Sequence, residues 1–162
     1  MSTASHNERQ LLRHALATIA YRAAKPLRDA PATFGAFEVP NYPRTPIKIL
    51  AHIGDLFDWA LTIARGQQAW KNASPQDWSA ERTRFFSSLK AFDDYLASDE
   101  PLHESPAKLL QGPIADALCH VGQLTLLRRL SGAPIRSENY HKADIAAGQV
   151  GSEQPAPRFE FD

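Results

Sequence analysis

Residues 45–66, TPIKILAHIGDLFDWALTIARG, decide how this chain is read. Thr45 can cap a helix, and Pro46 suits the first helical position, where a missing backbone N–H costs nothing. Ile49, Ile53, Leu56, Phe57 and Ala60 then recur at three- and four-residue steps, which places them on one face of an α-helix. Gly66 is a natural stop. His52 falls three residues after Ile49 and four before Leu56, so an imidazole sits on or beside the face that must be buried. A polar ring in such a place needs a partner.

The same grammar extends outward in both directions. Toward the N-terminus, Leu11, Leu12, Ala15, Leu16, Ile19 and Ala23 keep the helical period, and Pro26 and Pro31 predict a kink or an end between Ala24 and Ala30. Residues 31–45, PATFGAFEVPNYPRT, carry three prolines and a glycine and read as a long loop, a kind that is often functional. Toward the C-terminus, Ser74-Pro75 offers a cap for a third helix, with Trp78, Phe85, Leu89, Phe92 and Leu96 as its buried stripe and Pro101 as its end. Ser105-Pro106 starts a short turn through Leu110, and Gly112-Pro113 restarts a fourth long helix that stops at Ser131-Gly132.

Beyond residue 133 the period fades among Pro134, Pro155 and Pro157, which predicts an irregular tail packed over the rest. No segment alternates apolar and polar residues for long, so no strands are expected. The expected fold is all-α: a four-helix bundle of helices about 17 to 24 residues long, in one domain over residues 1–162. Bundles of this kind build cofactor sites in the core from facing helices.

Composition narrows the function. The 162 residues hold 18 Lys plus Arg and 18 Asp plus Glu, so no net positive field exists to gather phosphates, and nucleic-acid binding is not expected. A single cysteine, Cys119, excludes an internal disulfide and fits a reducing compartment. Ser5, His6, Asn7, Glu8 and Arg9 interrupt any apolar run after Met1, and no stretch approaches the ~20 apolar residues of a membrane span. A cytoplasmic globular protein is the reading.

The fourth helix carries the second polar feature. Asp116 and His120 are one turn apart, and Leu124 and Leu127 continue their line. Side chains at this spacing share a face, with Cβ atoms roughly 5–6 Å apart. A buried carboxylate neutralises or finds a cation, and a divalent metal between two imidazoles would be one. His52, Asp116 and His120 are therefore candidate ligands, a set that leaves positions free as catalytic centres do. The competing reading is a hydrogen-bonded core histidine and an Asp–His pair that satisfies itself.

Two segments together add a resemblance. TPIKILAHIGDLFDWAL (45–61) and LLQGPIADALCHVGQLTLLRRLSGAPI (109–135), with its HVGQ run and LLRRLSG exit, resemble the DinB/YfiT-like superfamily, whose members are read as metalloenzymes. The resemblance is close over these two helices and loose over the helix plan. It implies His52 as first ligand and His120 as the histidine of the HxGQ signature. Many members carry histidine one turn earlier, where this chain has Asp116; the thiol-dependent isomerase branch has a carboxylate there. The implied activity is that of a hydrolase, or of a thiol transferase or isomerase, using a divalent metal to activate water or a low-molecular-weight thiol on a small-molecule substrate. Zinc and nickel are the metals expected first, then iron or manganese, and relatives often form homodimers. The alternative is a non-enzymatic, dimeric helical protein with a structural metal or a buried His/Asp network.

Other residues have two readings each. Asp55 can orient a ligand, or with Asp58 belong to a solvated face; Gln123 can bond a ligand, substrate or backbone. Trp59 can line the pocket or fill the core, and Tyr140 and His141 can close its open end. Gly54 and Gly122 permit close helix approach. His14, His103 and His141 read as incidental, Cys119 as a packing residue pointing away from His120, and Arg128 and Arg129 as charges suited to a helix C-terminus.

Overall fold

Helix α1 (His6–Leu27) begins with a capping box: Ser5 accepts the Glu8 N–H, and the Glu8 carboxylate accepts the Ser5 N–H. Its end falls where the prolines predict, with Pro26 in the last turn. The computed structural model describes residues 5–161, so the two ends of the expected domain, residues 1–4 and 162, lie outside the described residues. Helix α2 (Pro46–Ala64) starts at Thr45-Pro46 as read, although Thr45 makes no side-chain cap.

Helix α3 (Trp78–Ala97) corrects the expected start. Its cap is Asp77, which accepts the Ala80 N–H at 2.9 Å, and Ser74-Pro75 lies in the irregular segment that precedes it. A cap sequence is necessary but not decisive, since Asp77 competes with Ser74 three residues earlier. Helix α4 (Pro106–Leu109) runs through a wide π-type turn, Leu110–Ile114, into α5 (Ala115–Leu130). The restart expected at Gly112-Pro113 is thus a kink at Gly112 (φ −88°, ψ −105°) without a new side-chain cap. The wide turn absorbs the N–H that Pro113 lacks.

The four long helices pack as neighbours: α2 lies against α3 and α5, and α1 against the same two. Their apolar faces form one cluster that includes Leu16, Ile53, Phe57, Phe85, Phe92 and Leu124, all fully buried. The expected stripes are buried apart from Leu11, which is exposed, and Ala15 and Trp78, which are half-buried. The loop after α1 is broken by a short 3-10 turn, Phe34–Ala36, whose Phe34 joins the core against Trp78.

The tail contains two strands where none were expected. β1 (Ser137–Glu138) pairs antiparallel with β2 (Glu160–Phe161). Two-residue strands are too short for alternation to register in a sequence. The tail does pack over the helices: Val150 enters the core, and Tyr140 sets its ring edge-on to Tyr21 of α1 at 6.3 Å. Among the described residues, no helix is long and apolar enough to cross a membrane.

Candidate metal centre

His52 on α2 and Asp116 and His120 on α5 come together where the two helices face each other. The helical period delivers the Asp116–His120 pair locally, and packing of α2 on α5 supplies His52. His120 Nε2 lies 3.3 Å from Asp116 Oδ1, and His52 Nε2 lies 3.7 Å from Asp116 Oδ2. The two imidazoles meet edge to face, with centroids 4.7 Å apart. One ligand atom from each residue falls within 4.8 Å of the others.

These separations are longer than direct hydrogen bonds and short enough for the three residues to share an ion. An N–H···O bond is normally 2.7–3.2 Å long. Ligands held at about 2.0–2.2 Å in a tetrahedron stand roughly 3.3–3.6 Å from one another. The group can therefore hold a metal ion. Its donors, two imidazole nitrogens and one carboxylate, suit zinc or a neighbouring first-row metal.

Burial is uneven across the three. His120 is buried and His52 half-buried, but the Asp116 side chain is 48% exposed. The expectation of a buried carboxylate is corrected: Asp116 sits in the first turn of α5, on the solvent side of the site. Its charge therefore needs no compensation by burial, and the opening gives an exchangeable ligand a way in. Burial, first, and then the neighbouring His120 ring and the charge of Arg44 hold the His52 imidazole below its ordinary titration range. It is thus already neutral and able to donate its lone pair near pH 7.

Gln123 reaches the site as one of its two readings had it. Its Oε1 lies 2.9 Å from His120 Nδ1; in this amide orientation the oxygen can only accept, so Nδ1 would carry the proton and Nε2 would keep its lone pair. This is the arrangement a metal-ligating imidazole requires. Two aromatic residues also border the site and were not singled out in the sequence. Trp70, in the segment after α2, places its ring 5.8 Å from that of His52 and 5.7 Å from that of Trp59. Tyr42, from the long loop, donates its hydroxyl to Gln123 Oε1 at 3.1 Å. Neither lies on a periodic face, so neither carried a positional signal.

Of the other readings, the surface positions of Asp58, His14 and His103 and the place of Arg128 and Arg129 in the last turn of α5 hold, and several others fail. Asp55 neither orients a ligand nor faces solvent: it is buried, accepts from Arg84 at 3.0 Å and takes the Ala73 N–H at 3.2 Å. Asp58 is exposed and shares Arg84. Gly54 makes room for the Arg84 guanidinium rather than for a helix backbone, and Gly122 faces open space. Trp59 touches Trp70, one ring removed from His52. Tyr140 and His141 do not close the site, because Tyr140 packs on Tyr21 and under the Arg22 guanidinium, and His141 is exposed. Cys119 is exposed rather than packed. Arg128 is buried, with its guanidinium over Phe34 and facing the backbone carbonyls of Arg28 and Asp29, while Arg129 stays exposed. His14 and His103 are exposed.

No family model, no curated protein and no solved structure matches this chain, so the site stands on its own residues.

Proposed function

We propose that this chain is a metal-dependent enzyme of the DinB-like type, a four-helix bundle with one divalent ion held by His52, Asp116 and His120. The observation that carries the reading is the grouping of three donor residues from two helices with ligand atoms within 4.8 Å of one another, and with Gln123 Oε1 against the far nitrogen of His120. A bound divalent ion would supply Lewis acidity there, making a water or a low-molecular-weight thiol a nucleophile near neutral pH. The chain's own residues orient the imidazoles and keep one side open. The exposure of Asp116 supports a catalytic over a structural centre, since closed structural sites hold four protein ligands. Zinc fits the donor set and spacing, and nickel, iron or manganese share it. The substrate class is small-molecule, and the resemblance of the two ligand-bearing helices to the DinB/YfiT-like superfamily supports a hydrolase, or a thiol transferase or isomerase. A homodimer belongs to the same reading.

The test is metal content. Protein purified without a metal-affinity tag should hold near one equivalent of metal, and folded Asp116→Ala and His120→Ala variants should lose it. Variants that keep full metal would show that the ligand set is wrong. Clean protein that binds no metal and gains no thermal stability from added zinc or nickel would favour the alternative, a non-enzymatic helical protein with a polar His/Asp network. Perturbation of a cobalt-substituted spectrum by added thiols would separate an open site from a closed one.

A further inference from the structure

The long loop between α1 and α2 ends in a tight turn. The Tyr42 N–H donates to the Val39 carbonyl at 3.0 Å, the two residues form an isolated antiparallel bridge, and Asn41 takes φ 63°. Asparagine tolerates that left-handed conformation better than most residues. The turn fixes the direction of the Tyr42 side chain, whose hydroxyl meets Gln123 on α5. The Gln123 oxygen thereby lies 3.1 Å from the Tyr42 hydroxyl and 2.9 Å from His120 Nδ1.

A glutamine amide can turn over, and the two orientations have opposite consequences. With the oxygen toward His120, Nδ1 keeps its proton and Nε2 presents a lone pair to the space beside Asp116. With the NH2 group toward His120, Nδ1 must accept, and the proton moves to Nε2. There it would bond to Asp116, 3.3 Å away, and fill the position a metal needs. The charge of Asp116 pulls toward this second arrangement. A phenol can donate or accept, so its own proton sets the preference: facing the Gln123 oxygen it has an acceptor in the protein, whereas facing the NH2 group it must accept and turn its proton to solvent.

We infer that Tyr42 is a positioning residue for the metal centre: through Gln123 it holds His120 in the tautomer whose Nε2 is free to bind a metal. The long loop is in this way part of the site without touching an ion. The inference rests on the proposed ligand set for its effect on metal affinity, but not for its effect on the imidazole itself.

Two measurements on the full chain test it. Long-range proton–nitrogen NMR of the histidine rings in metal-free protein reads the tautomer directly. The wild type should show His120 protonated on Nδ1, and Tyr42→Phe should shift it toward Nε2–H while leaving the thermal midpoint of the metal-free protein in place. Zinc titration against a competing chelator should show Gln123→Ala weakening binding by roughly 10- to 100-fold, with Tyr42→Phe near the lower end of that range. In a Gln123→Ala background, Tyr42→Phe should add less than about twofold, because the two act in series. A merely structural tyrosine would lower the thermal midpoint and leave the tautomer alone. If His120 keeps the same tautomer in Tyr42→Phe, the inference is overturned. A wild type that binds no zinc but shows the tautomer shift would sink the metal reading and leave this one standing.

Discussion

Two of the polar clusters in this molecule are built on opposite principles. Where the tail crosses α1, Glu138 is buried and fully engaged: it accepts from the Tyr21 hydroxyl at 2.6 Å and from Lys25 Nζ at 3.0 Å, and Lys25 also bonds Glu160 at 2.6 Å. The Glu138 carboxylate is thus matched by a hydroxyl and an ammonium of the chain itself. Between α2 and α5, His52, Asp116 and His120 come together with gaps of 3.3 and 3.7 Å and an exposed carboxylate. Self-compensation marks a clasp, whereas the looser group is one that could hold a metal ion. Residue type alone does not distinguish them, since both mix a carboxylate with nitrogen bases.

The strongest way to break this contrast is to open the clasp. Glu138→Ala leaves Lys25 half-paired and the Tyr21 hydroxyl without its acceptor, and removing one partner of a buried pair costs roughly 3–5 kcal/mol. In a chain of this size that lowers the thermal midpoint by on the order of 10 °C, read by circular dichroism, with metal content per folded protein unchanged. A smaller fall should follow stripping the metal from the wild type. At a free metal concentration of about 100 times Kd the ion adds roughly 2.7 kcal/mol, so a chelator scan should lower the midpoint by several degrees, and Asp116→Ala should erase that difference.

The clasp should also show itself at alkaline pH. Burial, first, and then the contact with Glu138 push the Tyr21 phenol above its usual range. Burial works against the charge of Lys25, but its bonds to Glu160 and Glu138 outweigh it and raise that group too. The unfolded chain therefore releases these protons first. Their contribution is complete below about pH 10, the ordinary value for both groups, and is lost as pH rises through the raised folded values. Denaturant midpoints measured from pH 8 to 11 should fall at the alkaline end, and less steeply in Tyr21→Phe. A slope equal in both proteins would remove Tyr21 from the clasp. The smallest effect is expected at the other cluster: Asp116→Ala in metal-free protein should change stability by no more than about 0.5 kcal/mol, as at an ordinary surface position. A large loss there would mean that Asp116 is structural.

Much of the helical plan was legible because helices are written locally. The Ile49–Ala60 and Phe85–Leu96 stripes repeat at the helical period, and they are the faces now buried. Misreadings cluster where two local signals compete or where the element is shorter than its signal. Ser74 and Asp77 both offer caps, and only Asp77 is used. The two-residue strands of the tail have no room to alternate. Asp55 was read among neighbours on its own helix, whereas its partner Arg84 comes from α3.

The sequence by itself determined that α2 carries an inward imidazole and that α5 carries a carboxylate and an imidazole on one face, because residues three and four apart must align along a helix. Only the tertiary structure decided that the two faces meet, that Asp116 stands at the solvent edge, and that Tyr42 and Trp70 reach the same place from segments without a period. The physical reason is range. Backbone periodicity fixes neighbours within one or two turns, and contacts between distant segments follow from how the apolar faces pack.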